Sequence, residues 1–167
     1  IEEKEVEFEL DFKYGDSPTI TIKIQNTEGA DILDDFEQYT TDTEVSDAWV
    51  QNNGGGDITR TIVTDKSDSK ALAYQYEYEG RWWAGITKNL SNLDLSKYTG
   101  IQMWYQPDGS NNKMTIQLRD TGDVYWEAYV VLDSTDAQLI QIPFSEFEIK
   151  QGNKTGEMGE QRFNAIG

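Results

Sequence analysis

The residues of this chain that could do chemistry are aromatic and amide side chains at strand spacing. The 167-residue sequence holds five tryptophans and nine tyrosines but no histidine and no cysteine. A flat aromatic ring can stack on the C–H face of a pyranose, while neighbouring amides, hydroxyls and guanidinium groups bond to the sugar hydroxyls. The pattern therefore favours a sugar-binding surface.

Two segments carry the most informative spacing. In residues 100–106 and 113–119, apolar and polar side chains alternate, which is typical of half-buried strands. If the apolar sets of both segments face the core, their polar sets line one outer face. A solvated sheet face would explain the amides equally well, but an exposed indole among them favours binding. The members of the expected row are Gln102, Trp104, Gln106, Gln117 and Arg119.

Short alternating segments, separated by Gly, Asn, Asp and Ser clusters, run through the chain, and no segment shows sustained helical periodicity. Such a succession of strands predicts an all-β fold, a two-sheet antiparallel β-sandwich of the jelly-roll type. The predicted strands are 57–64, 71–79, 82–88, 100–106, 113–119, 124–132 and 138–143.

The first part of the chain predicts a β-hairpin, because residues 6–13 and 19–25 alternate on either side of a YGDSP turn. We expect this hairpin, within residues 1–27, either to end a preceding module or linker or to complete the sheet of the domain at residues 28–167. The chain begins and ends abruptly, which indicates a fragment.

The net charge of −17 argues against nucleic acids and anionic membranes as partners, because phosphate groups are bound by clustered Lys and Arg. A neutral polysaccharide meets no such repulsion. The lack of cysteine excludes a disulfide framework and is compatible with the cytosol and with extracellular bacterial proteins. No stretch of the sequence has the pattern of a signal peptide or of a membrane span.

The order of six segments resembles the jelly-roll carbohydrate-binding modules attached to bacterial glycoside hydrolases, family 11 most closely. The segments are ILDDFE (32–37), WWAG (82–85), LSNLDLSKYTGIQMWY (90–105), KMTIQLRD (113–120), VYWEAYVVL (124–132) and LIQIPFSEFE (139–148). The resemblance covers about residues 32–167. Family members continue with two further strands after the position of Ile166.

This resemblance implies a non-catalytic, secreted module, linked to a bacterial hydrolase, that binds linear β-1,4 or mixed-linkage β-1,3-1,4 glucans of plant cell walls. It also implies structural calcium. The family binds sugars mostly through tyrosines, whereas tryptophans stand at similar points here. Mannan, glucomannan or xylan therefore stays open as an alternative ligand.

The resemblance adds aromatic candidates to the row. It favours Trp83 as a sugar platform, although a slip of one residue would select Trp82. Trp49 lies near a second platform position, where a core-capping indole is the alternative. In residues 124–132 alternation points Tyr129 to the cleft, while the family position favours Trp126, which a bulge would turn outward.

Acidic residues at the opening segment are candidate metal ligands. Asp34, Asp35 and Glu37 lie close together in sequence, and hard oxygen ligands of this kind suit calcium. The resemblance places a structural calcium near this strand. Ordinary exposed carboxylates are the alternative, because the chain has 31 acidic residues and no twelve-residue calcium loop.

Catalysis is not expected, because the chain lacks the histidine and cysteine that serve as common bases, nucleophiles and zinc ligands. A pair of carboxylates could still hydrolyse a glycosidic bond, and Glu127 between two tyrosines is the nearest candidate. The sequence shows no spaced array of acidic residues around it. A small glycosidase and a structural β-sandwich domain with buried indoles are the remaining alternatives.

Overall fold

The computed structural model describes residues 7–13, 19–24, 32–51, 57–64, 68–77, 84–90, 95, 98–120 and 124–150. In these residues, eleven strands form two antiparallel sheets, accompanied by one short α-helix. The predicted all-β, two-sheet antiparallel β-sandwich (jelly roll) is confirmed. Within the described part of the chain, no helix combines the length and apolar character needed to cross a bilayer.

Sheet A has the strand order β11-β9-β8-β1-β6-β3, and sheet B has the order β10-β7-β2-β5-β4. The strands are β1 Glu7–Lys13, β2 Thr19–Ile24, β3 Val50–Gln51, β4 Asp57–Thr64, β5 Lys70–Glu77, β6 Ala84–Asn89, β7 Gly100–Gln106, β8 Lys113–Arg119, β9 Tyr125–Val131, β10 Gln138–Pro143 and β11 Glu148–Ile149. All seven predicted strands from residue 57 onward are present, with ends shifted by a few residues at most.

The predicted N-terminal hairpin is wrong, because β1 and β2 do not pair with each other. β1 lies in sheet A between β6 and β8, and β2 lies in sheet B between β5 and β7. Each strand therefore has a neighbour from residues 28–167 on both sides. This arrangement favours the expectation that β1 and β2 complete the sheets, while the boundary between residues 27 and 28 stays a prediction.

The core lies between the sheets and takes every second residue of the long strands. In β5, Leu72, Tyr74 and Tyr76 are buried, and the two tyrosine rings stack with their centroids 5.7 Å apart. In β8, Met114 and Ile116 are fully buried in the same cluster. Period-two alternation thus fixes which face of each strand is left to meet solvent or a ligand.

The helix α1 (Asp42–Ala48) was not predicted, because its seven residues make only two turns. Its start is nevertheless encoded by a capping box: the Glu44 amide donates to Thr41 Oγ1, and the Thr41 amide donates to a Glu44 carboxylate oxygen. Hydrogen bonds from the Thr40 amide and hydroxyl, together with that from the Thr41 amide, hold the pKa of the Glu44 carboxyl below its usual value. The helix buries Val45 beside β4.

We expect Gly100→Ala to weaken the β7–β10 pair. Gly100 lies opposite Pro143, and an added Cβ would come within 2.5 Å of the Ile142 carbonyl oxygen. Because the obstacle is backbone, the strands must shift, and the free energy of unfolding should fall by about 1–3 kcal/mol. Urea denaturation measures this change, with Thr59→Ala at an exposed strand position as the control. Equal midpoints for both variants would contradict the prediction.

Candidate functional site

The two strands of the expected binding row belong to different sheets. β7 lies in sheet B and β8 lies in sheet A, and the apolar residues of both strands enter the shared core. Their polar residues therefore point away from each other, on opposite sides of the sandwich. The prediction that Gln102, Trp104 and Gln106 share one face with Gln117 and Arg119 is wrong.

Two separate outer faces result, each with its own chemistry. Face A, on sheet A, comprises Lys113, Thr115, Gln117 and Arg119 of β8 with Tyr125, Glu127 and Tyr129 of β9. Face B, on sheet B, comprises Gln102, Trp104 and Gln106 of β7 with Leu139 and Gln141 of β10.

A hydrogen-bonded carboxylate forms the centre of face A. Glu127 lies opposite Gln117 in the β8–β9 register, and the Gln117 amide donates to its Oε1 atom. The Tyr129 hydroxyl donates to Glu127 Oε2 at 2.6 Å, and the Lys150 ammonium lies 3.5 Å from Oε1. Since Glu127 is only 7% exposed, these contacts hold its carboxylate in a fixed position.

Two tyrosine rings flank this carboxylate along β9. Tyr129 is 45% exposed, and the Lys113 ammonium lies 3.6 Å from its ring centroid. The Tyr125 ring has the Arg119 guanidinium carbon and the Lys150 ammonium each at 5.4 Å. The two tyrosines are four residues apart, which corresponds to about 13 Å along a strand. Face A therefore presents two aromatic rings with charged and amide groups around and between them.

Buried polar atoms lie beside these rings. Thr115 is 1% exposed and Gln117 is fully buried, although both point away from the core. Thr115 Oγ1 and Gln117 Oε1 have no hydrogen-bond partner among the described residues. An unsatisfied buried acceptor costs roughly 1–3 kcal/mol. A ligand hydroxyl or a water molecule that reached them would recover part of this cost.

Face B is simpler and carries an exposed indole. Trp104 is 43% exposed and lies opposite Leu139, which is 39% exposed. Beside this pair, the Gln141 amide donates to Gln102 Oε1 at 2.8 Å, and the Gln106 amide donates to the Thr135 carbonyl at 3.2 Å.

Two of the predicted sugar platforms are core residues. Trp49 is 1% exposed, and its indole N–H donates to Asp34 Oδ2 at 2.9 Å. Trp126 is 5% exposed and points into the core, so regular alternation without a bulge leaves Tyr129 as the outward residue. Neither indole can stack on a sugar in this conformation. Trp83 lies outside the described residues.

The first acidic residue of the predicted metal site is instead the centre of a buried polar cluster. Asp34 Oδ2 accepts hydrogen bonds from the Lys88 ammonium at 2.7 Å and the Tyr39 hydroxyl at 2.8 Å, besides the Trp49 indole. Asp34 Oδ1 accepts from the Phe36 amide at 2.8 Å. Every strong acceptor position of this carboxylate is thus used by the protein, and Lys88 supplies a cation.

The three predicted calcium ligands do not converge on one point. Asp35 Oδ1 accepts from the Glu37 amide, and Glu37 Oε1 accepts from the Lys70 amide at the start of β5. No group of three or more acidic side chains suited to a metal occurs among the described residues. These side chains do not fit a calcium ion, because an ammonium already neutralises the buried carboxylate. Calcium binding by this chain stays a prediction.

The contribution of the Asp34 cluster to the stability of the fold changes with pH in a defined direction. Burial alone would lower the pKa of Lys88, but its hydrogen bonds to Asp34 and Tyr39 raise the pKa above 10.5. Burial also raises the pKa of the Tyr39 hydroxyl. A lysine whose pKa is raised by folding stabilises the protein fully below its unfolded pKa. This contribution is therefore complete at neutral pH and is lost as the pH rises through the folded pKa.

Alternation in residues 124–132 also predicts that Tyr125 and Glu127 share the cleft face with Tyr129, and the three residues do lie together on face A. Three other residues of the two faces were missed by sequence reasoning. Lys113 and Lys150 can be assigned to face A only when the strand pairing is known, because the ammonium of each lies over a tyrosine ring of β9. Leu139 likewise joins Trp104 only through the β7–β10 register.

Comparison with known proteins identifies a family and a relative for this chain. A family model described as carbohydrate binding domain (family 11) matches residues 21–164. A mannan endo-1,4-beta-mannosidase of Bifidobacterium adolescentis is 30% identical over 118 residues, which cover 71% of this chain and 12% of that protein. The chain thus spans a small part of the length of the relative it matches. No solved structure shows significant similarity to the chain.

We expect Asp34→Asn to destabilise the fold strongly, because it leaves the Lys88 ammonium buried without its counter-charge. Breaking one side of a buried ion pair typically costs about 3–5 kcal/mol of unfolding free energy. Lys88→Met should cost less, since Tyr39 and Trp49 still donate to the carboxylate. The double variant should then be more stable than the sum of the two losses predicts.

Urea denaturation at pH 7 of the four proteins of this double-mutant cycle measures the coupling. Glu37→Gln is the control, because Glu37 is exposed and accepts a hydrogen bond that an amide oxygen can also accept. Strictly additive losses at Asp34 and Lys88 would contradict the proposed interaction.

Proposed function

Since this chain belongs to family 11 of the carbohydrate-binding domains, we propose that it binds a neutral plant cell-wall β-glycan along face A. In this proposal the chain is a non-catalytic module that keeps a linked glycoside hydrolase on its polysaccharide outside a bacterial cell. The match of the chain to 12% of the length of a mannanase supports the linkage to a larger enzyme.

The observation that carries the proposal is the pair of tyrosine rings on either side of an anchored carboxylate. Tyr125 and Tyr129 offer ring faces, and Glu127, Gln117 and Arg119 offer acceptors and donors between and beside them. Sugars need this combination, because each pyranose has an apolar C–H face and a rim of hydroxyls. The buried acceptors of Thr115 and Gln117 add sites that sugar hydroxyls could satisfy.

The energies are those of a weak, tethered binder. Stacking contributes on the order of 1–3 kcal/mol per ring, by analogy with nucleobases on aromatic side chains. Two rings and a few hydrogen bonds, less the ordering costs, correspond to roughly −7 kcal/mol and micromolar-range affinity. Attachment to an enzyme raises the effective concentration at the polymer, so affinity of this order suffices.

Two glycan classes have specific support. Linear β-1,4 and mixed-linkage β-1,3-1,4 glucans are favoured by the family resemblance of the sequence. Mannan or glucomannan is favoured by the relative, whose name states that it hydrolyses mannan. Both are neutral, extended β-linked chains, which suits a surface on a protein of net charge −17.

The absence of catalysis in this proposal is inferred from the family, whose matching model describes a carbohydrate-binding domain. Glu127 is anchored by Gln117, Tyr129 and Lys150, which suits a fixed hydrogen-bond acceptor for sugar hydroxyls. Glycoside hydrolysis needs a second carboxyl across the scissile bond. Glu148 lies opposite Glu127 in the β9–β11 register, so an assay for polymer clearing must accompany the binding test.

We expect Tyr129→Ala to weaken glycan binding at least about tenfold, which corresponds to a loss of about 1.4 kcal/mol of stacking. Tyr129→Phe keeps the ring but loses the hydrogen bond to Glu127. Its affinity therefore distinguishes the contribution of ring stacking from the contribution of positioning the carboxylate. Affinity electrophoresis against β-glucan, glucomannan, mannan and xylan measures both variants and identifies the glycan class. Clearing of any polymer around the protein band would contradict the non-catalytic role.

The matched control is Ile32→Ala, because Ile32 is 54% exposed and belongs to neither face. Its retardation should equal that of the unmodified protein in every gel. Unchanged retardation of Tyr129→Ala, with binding retained by the parent, would exclude face A as the site. Absence of retardation of the parent in all four gels would favour a structural domain instead.

A further inference from the structure

We propose that face B is a second glycan-contacting surface, centred on Trp104, which makes the module bivalent. The ligand class rests on the proposed function, but the surface is separate from face A. The two faces lie on the outer sides of different sheets with the core between them. One polysaccharide strand lying flat on face A therefore does not reach Trp104.

The apolar part of this surface is built by strand pairing. Trp104 and Leu139 are directly opposite in the β7–β10 pair and are 43% and 39% exposed. Side chains opposite each other in an antiparallel pair have Cβ atoms about 4.5–5.5 Å apart. The indole and the leucine therefore form one continuous platform, whereas an isolated exposed apolar residue would need no explanation.

Amides flank the platform on both sides along β7. Gln102 and Gln106 are each two residues from Trp104, which is about 7 Å along the strand. Each is held in place by a hydrogen bond, Gln102 by the Gln141 side chain and Gln106 by the Thr135 carbonyl. An amide has two donors and one carbonyl acceptor, so each bond leaves capacity for a sugar hydroxyl.

The size and polarity of the surface favour a sugar chain over a protein partner. On a chain of net charge −17, Lys23 of β2 lies opposite Trp104 in the β2–β7 register. The outward residues of β7 and β10 are all uncharged. These residues are Gly100, Gln102, Trp104, Gln106, Leu139, Gln141 and Pro143. A stable protein interface buries about 800 Å² on each partner, whereas this platform consists of two apolar side chains. A single sugar chain requires no more than that.

Titration calorimetry with cellohexaose, or with the hexasaccharide of whichever polymer retards the protein, tests the proposal. We expect two equivalents to bind the parent protein and one equivalent to bind Trp104→Ala, with its melting temperature nearly unchanged. Leu139→Ala is the second variant, and it should weaken the same site severalfold. Tyr129→Ala should remove the other equivalent and leave the Trp104 site intact. Ile32→Ala is the control for both.

Bivalency has an independent readout in the polymer. The parent protein should cross-link soluble β-glucan or glucomannan and increase light scattering, while Trp104→Ala should bind without cross-linking. If Trp104→Ala keeps the parent stoichiometry and scattering, face B is not a glycan site. That result leaves the proposed function standing, provided that Tyr129→Ala loses binding.

The remaining outcomes are equally distinct. Loss of all binding in Trp104→Ala, with Tyr129→Ala unchanged, would make face B the only site and overturn both bivalency and the role of face A. Absence of binding by the parent would refute the proposed function itself. If Trp104 has no effect on glycan binding but becomes protected when the chain is joined to its catalytic module, face B is a protein contact and the inference fails.

Discussion

Each long strand of this sandwich has one face committed to a core that both sheets share. This constraint determines where any binding surface can lie. Because β7 and β8 are consecutive in sequence but belong to different sheets, their polar faces are driven to opposite sides of the molecule. Residues that look like one row in the sequence are thus divided between face A and face B. The division follows from alternation and sheet membership together, and neither alone would produce it.

The buried carboxylate of the opening segment, residues 32–37, imposes a second constraint. Asp34 is fully buried as a side chain and must be neutralised, and the structure uses Lys88 with Tyr39 and Trp49 for this purpose. A buried ion pair of this kind contributes geometric specificity more reliably than net stability. It fixes the segment before α1 against β6, next to the edge strand β3 of sheet A. The same indole that looks like a sugar platform in the sequence serves here as a hydrogen-bond donor to the cluster.

Local patterns predicted much of this fold, because alternation depends only on neighbouring residues. The boundaries of β4, β7, β8 and β10 match the sequence prediction residue for residue. Pairing partners could not be predicted in the same way. β1 bonds to β8, more than ninety residues further along the chain, and no local signal specifies such a contact. The apparent hairpin of β1 and β2 failed for this reason.

The candidate site was predicted only in part, for related reasons. Gln117, Arg119 and Tyr129 do lie together on face A, as alternation indicated, and Trp104 is exposed as expected. Trp49 and Trp126 are buried, because indoles also serve as large core residues and composition does not distinguish the two uses. Asp34 resembled a metal ligand because Lys88, its cation, is 54 residues away in sequence. The missing information was in each case the identity of a distant neighbour.

The chemistry of the two faces argues for different roles in recognition. On face A, Glu127 is held by three side chains and the rings are flanked by cations, so donors and acceptors point in set directions. A surface of this kind discriminates between sugars, since an epimer that misplaces one hydroxyl leaves a buried polar group unpaired. Face B has an indole, a leucine and amides but no anchored carboxylate, and stacking tolerates many pyranoses. In the proposed bivalent module, specificity should therefore reside on face A, and face B should add adhesion to neighbouring chains of the polymer.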